Sequence, residues 1–335
     1  MGQADAAPAA RAGRSRPRIV VPDDYDDVYG ASPAFAALRA RADVAIYTTP
    51  HASLDELVAR LRDAEIVVAN RERIPLRAET FARLPALRLV AQTGSRGAHL
   101  DLAAAQARGI VVAGTVGTAS ATSTAELTIG LMLAALRRIP AGDAGVRAGR
   151  WPQSVGREAS GLRLGVVGLG RIGGRVARVA GALGMDVLAW SPSLTPERAR
   201  AAGATYAPLD ALLREADVVT LHLRLTPEMR GLLDRDKLAL LRPSALLVNT
   251  ARGALVDEAA LVAMLQAGRL WGAALDVYAV EPLPPDHPLR ALPNVALSPH
   301  VGWIAERAYA EFIAGVVETI AAYLDGRPVP HPLTS

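Results

Sequence analysis

From residue 18 onward the chain alternates short apolar runs with longer stretches whose apolar residues recur every three or four positions. Continuous apolar runs at 18–21, 44–47, 65–69, 87–92 and 110–112 predict strands. Helical spacing fills the gaps near 34–40, 54–61, 77–83 and 102–107. Alternation of this kind predicts a parallel sheet with helices on both faces, because the crossover between parallel strands is usually a helix. One α/β unit is therefore complete by about residue 117.

Ser123-Thr124-Ala125-Glu126 then has the S-x-x-E form of a capping box, predicting a helix that starts there and runs through Leu127, Leu131, Leu133 and Leu136 to about Ile139. A helix this apolar is expected to be buried, between two domains. Gly142, Gly145, Gly149 and Pro152 read as a loop around Trp151. A second unit follows, with strands at 164–167, 186–190, 218–221, 246–249, 272–276 and 295–297. Helices are expected at 176–183, 209–214, 237–241 and 258–267. A last apolar helix, near 304–324, comes after the final strand and is expected to cross back and pack on the first unit. The architecture expected is two doubly wound parallel-sheet domains with a cleft between them.

Composition narrows the class of protein. Half of the 335 residues are hydrophobic and 21% are charged, a globular balance. The absence of cysteine excludes disulfides, thiolate metal sites and a cysteine nucleophile, and suits a reducing cytoplasm. Arg11, Arg14, Arg16 and Arg18 against Asp5 account for +3 of the net charge of +4, so the body is almost neutral. A basic tail on a neutral body is not a nucleic-acid footprint. The tail, residues 1–16, has no apolar core of a secretory signal and reads as a disordered extension rather than a transit peptide. The apolar run 127–136, bounded by Glu126 and Arg137, is too short to span a bilayer, and no membrane association is expected.

The strand at 164–167 leads into Gly168-Leu169-Gly170-Arg171-Ile172-Gly173. These glycines fit G-x-G-x-x-G between a strand and a helix, the setting of a dinucleotide site. Gly168 allows the tight turn, Gly170 lets backbone N–H groups approach a pyrophosphate, and Gly173 lets helix and strand pack closely. The anion would rest on the helix N-terminus that opens with Arg171 and Ile172.

Ligands of open α/β sheets bind beyond the carboxyl ends of the strands, so polar residues there are the candidates for chemistry. Asn249-Thr250-Ala251-Arg252-Gly253 offers a guanidinium, which either clamps a carboxylate bidentately or is one more surface arginine. Asp276 ends a strand, Glu281-Pro282 follows in a proline-rich loop, and Ser298-Pro299-His300 ends the next strand. His300 is suited to proton exchange near neutral pH. A carboxylate such as Glu281 on its far nitrogen would fix the tautomer and favour imidazolium; the alternative is a capped loop histidine. His222 ends the strand at 218–221 and would line the cofactor cleft. The small residues of Thr93-Gly94-Ser95-Arg96-Gly97-Ala98-His99 form either an anion-binding nest or a plain turn. No histidine or carboxylate cluster has metal-ligand spacing, and no G-x-S-x-G elbow is present.

Taken together in this order, the glycine turn, Asn249-Thr250-Ala251-Arg252-Gly253, Ala274-Leu275-Asp276-Val277-Tyr278 through Glu281-Pro282-Leu283, and Ser298-Pro299-His300 resemble the D-isomer-specific 2-hydroxyacid dehydrogenase family. The resemblance is strong over residues 85–304. It implies an α/β protein of two doubly wound domains. A Rossmann cofactor domain would span 118–304, and a flavodoxin-like substrate domain would combine 17–117 with 305–335. It implies an oxidoreductase acting on the CH–OH group of a small 2-hydroxy acid, or on the 2-oxo acid in reverse, with NAD or NADP. His300 would be the acid/base, Glu281 its tuning partner, and Arg252 the grip on substrate, helped by the backbone at Ser95, Arg96 and Gly97. Gly168, Gly170, Arg171, Ile172, Gly173, Ser191, His222, Thr250 and Asp276 would hold the cofactor, with Asp276 on the nicotinamide carboxamide. A homodimer is implied as well.

Three departures from the family pattern matter. Arg96 and Ala98 stand where a second glycine and an acid are common, so the substrate loop is expected to differ in shape. Ser191-Pro192-Ser193 stands where an acid would bind the adenosine ribose, so NAD is expected but NADP is not excluded. The chain also ends soon after its last helix, where some phosphoglycerate dehydrogenases carry a regulatory domain. Two rival readings share the fold: a cofactor-sensing co-repressor, and a formate-type dehydrogenase, which usually carries an amide where Glu281 stands.

Overall fold

The computed structural model describes residues 16–94, 97, 99–151 and 154–334. The chain forms two compact units, Met1–Thr118 with Ala305–Ser335, and Ala119–Ile304. The tail expected at 1–16 lies, up to residue 15, outside the described residues.

The first unit runs β1 (Arg18–Val21), α1 (Pro33–Ala36), β2 (Asp43–Ile46), α2 (Leu54–Leu61), β3 (Ile66–Ala69), α3 (Ala78–Ala82), β4 (Leu89–Gln92), α4 (Leu102–Ala107) and β5 (Val111–Gly114). Its strands are parallel, in the order β2-β1-β3-β4-β5. Alternate residues of each strand enter opposite cores. Val20, Val67 and Val90 pack with Leu57, Leu61 and Phe81, whereas Ile19, Val21, Ile66, Val68 and Leu89 face the other layer. Burial on both faces is why these strands read as unbroken apolar runs. Helix starts are set by side-chain caps: Ser53 accepts the Glu56 N–H at 3.2 Å and Asp101 the Ala104 N–H at 2.9 Å.

The second unit contains α5 (Ala119–Leu136), α6 (Ile139–Arg147), β6 (Arg163–Val167), α7 (Arg171–Ala182), β7 (Asp186–Trp190), α8 (Pro196–Ala201), β8 (Thr205–Tyr206), α9 (Leu209–Glu215), β9 (Val218–Leu221), α10 (Arg235–Leu238), β10 (Leu246–Asn249), α11 (Glu258–Gln266), β11 (Gly272–Leu275) and β12 (Val295–Leu297). The sheet is parallel, in the order β12-β11-β10-β9-β6-β7-β8. Chain order reverses between β6 and β9, which leaves a crevice beyond their carboxyl ends.

The chain then returns to the first unit as α12 (Glu306–Leu324). Ile313, Val316 and Ile320 of α12 are buried against the Ile19, Val21 and Leu89 layer. Each such side chain is worth about 1.5–3 kcal/mol when taken fully out of water.

Three local expectations fail. Helix α5 begins at Ala119, four residues before the supposed cap. Ser123 and Thr124 instead donate their hydroxyls back to the carbonyls of Ala119 (3.0 Å) and Ser120 (2.8 Å), as such residues do inside a helix. At 18 residues α5 has the length and apolar character to cross a membrane. Here Ala125, Met132 and Leu136 pack with Val176, Ala177 and Ala180 of α7 in the protein core. The glycine-rich stretch after it is not all loop, since α6 occupies Ile139–Arg147. Arg138 turns into it through a left-handed backbone (φ 54°), Pro140 suits its first turn, and Asp143 and Arg147 pair across one turn at 2.9 Å. Thr195 caps α8, which was not expected, and β8 adds an edge strand.

Candidate active site

At the crevice between β6 and β9 the three glycines do different things. Gly168 has φ 107°, and a Cβ there would come within 2.7–2.9 Å of the His222 and Leu223 backbone. A Cβ on Gly173 would lie 2.0 Å from the Gly168 carbonyl oxygen. Around Gly170 the space is open, with nothing among the described residues within 4 Å of a Cβ. Gly170 is also the N-cap of α7 and supplies no side-chain cap, so the first-turn N–H groups, Arg171 and Ile172 among them, lack an acceptor from a capping side chain. An uncapped helix start facing open space at a glycine fits a pyrophosphate.

His222 follows β9, and its N–H donates to the Val167 carbonyl at 2.8 Å. Its Nε2 is 3.0 Å from the Thr220 hydroxyl, while Nδ1 is buried with no hydrogen-bond partner among the described residues. Burial holds its pKa down to about 3, so the ring is uncharged near neutrality. Ser191 follows β7 and its carbonyl accepts the Leu194 N–H. Arg198 of α8 folds back to donate to the Ser193 carbonyl at 2.9 Å, so a guanidinium stands beside this serine turn. Sequence spacing hid it, because Arg198 lies seven positions from Ser191.

The ends of β10, β11 and β12 carry the other candidates. Asn249 folds the turn after β10: its Oδ1 accepts the Ala251 N–H and its Nδ2 donates to the Arg252 carbonyl, both at 3.0 Å. The Thr250 hydroxyl lies 2.7 Å from that of Thr128, which donates to the Thr124 carbonyl, so Thr250 is the donor of that pair. Gly253 then passes so close to the Tyr278–Ala279 peptide that a Cβ would stand 2.0 Å from the Tyr278 oxygen. The loop of Arg252 is thus packed directly against the loop of Glu281.

Asp276 is 1% exposed and both of its oxygens are engaged. They accept the N–H groups of Val301 and Gly302 at 2.9 Å each. The two bonds clamp the turn that holds His300 in a left-handed backbone, φ 57°, which is uncommon for a side-chain-bearing residue. His300 Nδ1 meets Glu281 Oε2 at 2.6 Å, and the other Glu281 oxygen accepts the Tyr278 N–H at 2.9 Å. Burial alone would raise the Glu281 carboxyl. The hydrogen bond and charge of His300, the Tyr278 N–H and the nearby Arg252 guanidinium outweigh it and hold Glu281 below the ordinary carboxylate range. Burial pushes the Tyr278 hydroxyl up to about 12, and it bonds the Ser298 carbonyl at 2.8 Å, tying this loop to the end of β12.

Residues 129–302 match the D-isomer specific 2-hydroxyacid dehydrogenase NAD binding domain. The chain is 37% identical to the glyoxylate reductase of Aeropyrum pernix, over 83% of this chain and 85% of the relative. The protein belongs to this dehydrogenase family. It is also 41% identical to the D-3-phosphoglycerate dehydrogenase of Mycobacterium tuberculosis over 82% of its own length, but spans only 52% of that relative. Among solved structures, a phosphoglycerate oxidoreductase from Vibrio cholerae superposes with a TM-score of 0.87 at 35% identity, covering 92% of this chain and 99% of the other.

Arg252, Glu281, His300 and Asp276 are thus all brought to one end of the second unit's sheet, and Gly168 to Gly173, His222 and Ser191 to the same carboxyl-end side. Of the residues expected to bind substrate in the first unit, Ser95 and Arg96 lie outside the described residues, and Gly97 lies at a described position in the turn after β4. Sequence reasoning missed Asp23, just beyond β1. Its carboxyl is wholly buried, takes a hydrogen bond from Asn70 at 3.2 Å, and is pushed up to about 7 by burial. It also assigned Asp276 only to the cofactor and missed its grip on the His300 turn. A glycine two residues after the histidine was the available signal: a Cβ on Gly302 would come within 3.0 Å of the Asp276 carboxylate.

Proposed function

We propose that the protein is an NAD(P)-dependent 2-oxoacid reductase, or D-2-hydroxyacid dehydrogenase in the reverse direction. The observation that carries this reading is the 2.6 Å contact between His300 Nδ1 and Glu281, beside the charge of Arg252. Glu281 takes up Nδ1 and leaves Nε2 as the nitrogen that exchanges a proton with substrate. A bound nicotinamide supplies or accepts the hydride at substrate C2. In reduction the carbonyl π pair moves onto oxygen, and His300 Nε2 gives that oxygen its proton. Oxidation returns the same proton to the ring. Arg252 holds the substrate carboxylate and polarises the carbonyl, as a planar two-pronged donor can. Thr250 and Asp276 would be the contacts for the nicotinamide end. Gly168, Gly170 and the first turn of α7 would hold the pyrophosphate, with the His222 backbone against Gly168.

On the adenosine side, the missing acid after β7 and the Arg198 guanidinium leave room for either dinucleotide, and NAD is the cofactor expected from the family. The substrate is a small 2-oxo acid, and the first unit is the substrate-binding unit. The protein is cytoplasmic in this reading, as its lack of cysteine suits. It is also a homodimer through the apolar side chains of Ile139, Val146, Trp151 and Val155, all exposed on α6 and the segment after it. Sedimentation at micromolar concentration tests the dimer, and a monomer there would remove it.

A panel of 2-oxo acids assayed with NADH and NADPH in parallel tests the reaction. Turnover of glyoxylate, hydroxypyruvate or a related acid is expected. Dinucleotide binding with no turnover of any acid would favour a cofactor sensor instead.

A further inference from the structure

The loop that presents Glu281 is fastened from outside the catalytic set. Glu258 is the first residue of α11, where a helix N-terminus favours a negative charge. Its Oε2 accepts the Ala279 N–H at 2.9 Å, two residues before Glu281. Its Oε1 lies 3.2 Å from Nε2 of His287, six residues after Glu281. His287 Nδ1 accepts the Leu289 N–H at 3.3 Å, capping the short turn Pro288–Ala291. A ring nitrogen that accepts carries no hydrogen, so the imidazole proton of His287 sits on Nε2 and points at Glu258. Both side chains are largely buried, at 19% and 16% exposure. One carboxylate on a rigid helix therefore ties down both legs of the loop, with Glu281 between them.

We infer that Glu258 and His287 are positioning residues that hold the Glu281 loop so that Glu281 meets His300 Nδ1. This rests on the proposed function for its kinetic consequence, but not for its geometry. Neither residue touches the reacting atoms. A misplacement of about 1 Å at a catalytic group can cost about a hundredfold in rate, so partial release of one leg of the loop is expected to cost of the order of tenfold. Glu258→Gln leaves one acceptor oxygen for two donors, and His287→Ala removes the second anchor outright.

The test is a double-mutant cycle on the full chain. His287→Ala and Glu281→Gln are made singly and together, and kcat, KM and the pH profile are measured, with NADH affinity from fluorescence titration. His287→Ala is expected to lower kcat about tenfold, to leave the NADH Kd unchanged, and to move the pH profile in the same direction as Glu281→Gln does. Added to Glu281→Gln it should then lower kcat no further, because its effect runs through that carboxylate. Losses that multiply in the double variant, or an unmoved pH profile, would overturn the inference. If His287→Ala does not fold, Glu258→Gln replaces it in the same cycle. If no 2-oxo acid is turned over, the proposed function fails by itself. The inference is then read from the pH titration of the His300 imidazole signal by NMR in the same four proteins, where an unchanged midpoint in His287→Ala overturns it.

Discussion

Gly173 and Gly174 are neighbours in α7, yet the structure assigns them opposite responses to the same substitution. A Cβ at Gly173 would stand 2.0 Å from the Gly168 carbonyl oxygen and 3.1 Å from Val166, whereas one at Gly174 meets nothing within 4 Å among the described residues. Ordinary contact starts at 3.4 Å, so Gly173→Ala must push the Gly168 carbonyl away by more than an ångström. That carbonyl belongs to a backbone already held against His222, with no flexible side chain to yield. Overpacking of this kind costs about 1–3 kcal/mol. For a unit of this size the melting temperature should fall by about 2–12 °C, at about 2–4 °C per kcal/mol. Because the same shift deforms the turn proposed to hold the pyrophosphate, NADH affinity should fall about tenfold or more, which is about 1.4 kcal/mol or more. Gly174→Ala removes a helical glycine without a clash and should stabilise by about 0.5–1 kcal/mol with NADH binding intact. Thermal melts and NADH fluorescence titrations on both variants decide the matter. Wild-type NADH affinity in Gly173→Ala, or equal losses in the two variants, would refute the reasoning.

Four further outcomes are expected. His300→Ala should cut turnover about 10²–10⁴-fold with NADH affinity near normal, and rates like wild type would remove His300 from the chemistry. Arg252→Lys should mainly raise KM for the 2-oxo acid, since a point charge loses the two-pronged grip; an unchanged KM would take Arg252 off the carboxylate. Glu281 is held below the ordinary range, so the stability its ionised form contributes is present above about pH 4.5 and is lost as pH falls through its lower folded value. The melting-temperature advantage of wild type over Glu281→Gln should therefore shrink on going from pH 6 to pH 4, and a constant difference would contradict this. Arg198→Ala should weaken NADPH more than NADH in binding titrations, and equal effects would exclude the guanidinium from the 2′-phosphate.

The doubly wound plan was legible because strands buried on both faces must be apolar throughout. Runs such as 186–190, 218–221 and 246–249 carry that requirement openly. The glycine turn was legible for a related reason: Gly168 and Gly173 are demanded by local crowding that no other residue tolerates. Pattern failed where one local interaction overrode another. Gly142 and Gly145 suggested loop, but Pro140 in the first turn and the Asp143–Arg147 pair support α6. Ser123 and Glu126 had the spacing of a cap, but the hydroxyl found a carbonyl one turn back inside a helix already formed.

For the site, the chain by itself determined which chemical groups are available and that they follow successive strands of one sheet: a guanidinium, a carboxylate and an imidazole. Only the tertiary structure decided that Glu281 and His300, nineteen positions apart, meet at 2.6 Å. Only there does Asp276 hold the two amides after His300, and Glu258 fasten both legs of the loop between. The physical reason is that hydrogen-bond chemistry depends on tenths of an ångström. Strand order can put loops at the same end of a sheet, but only the packed backbone, as at Gly253 against Tyr278, fixes how their side chains meet.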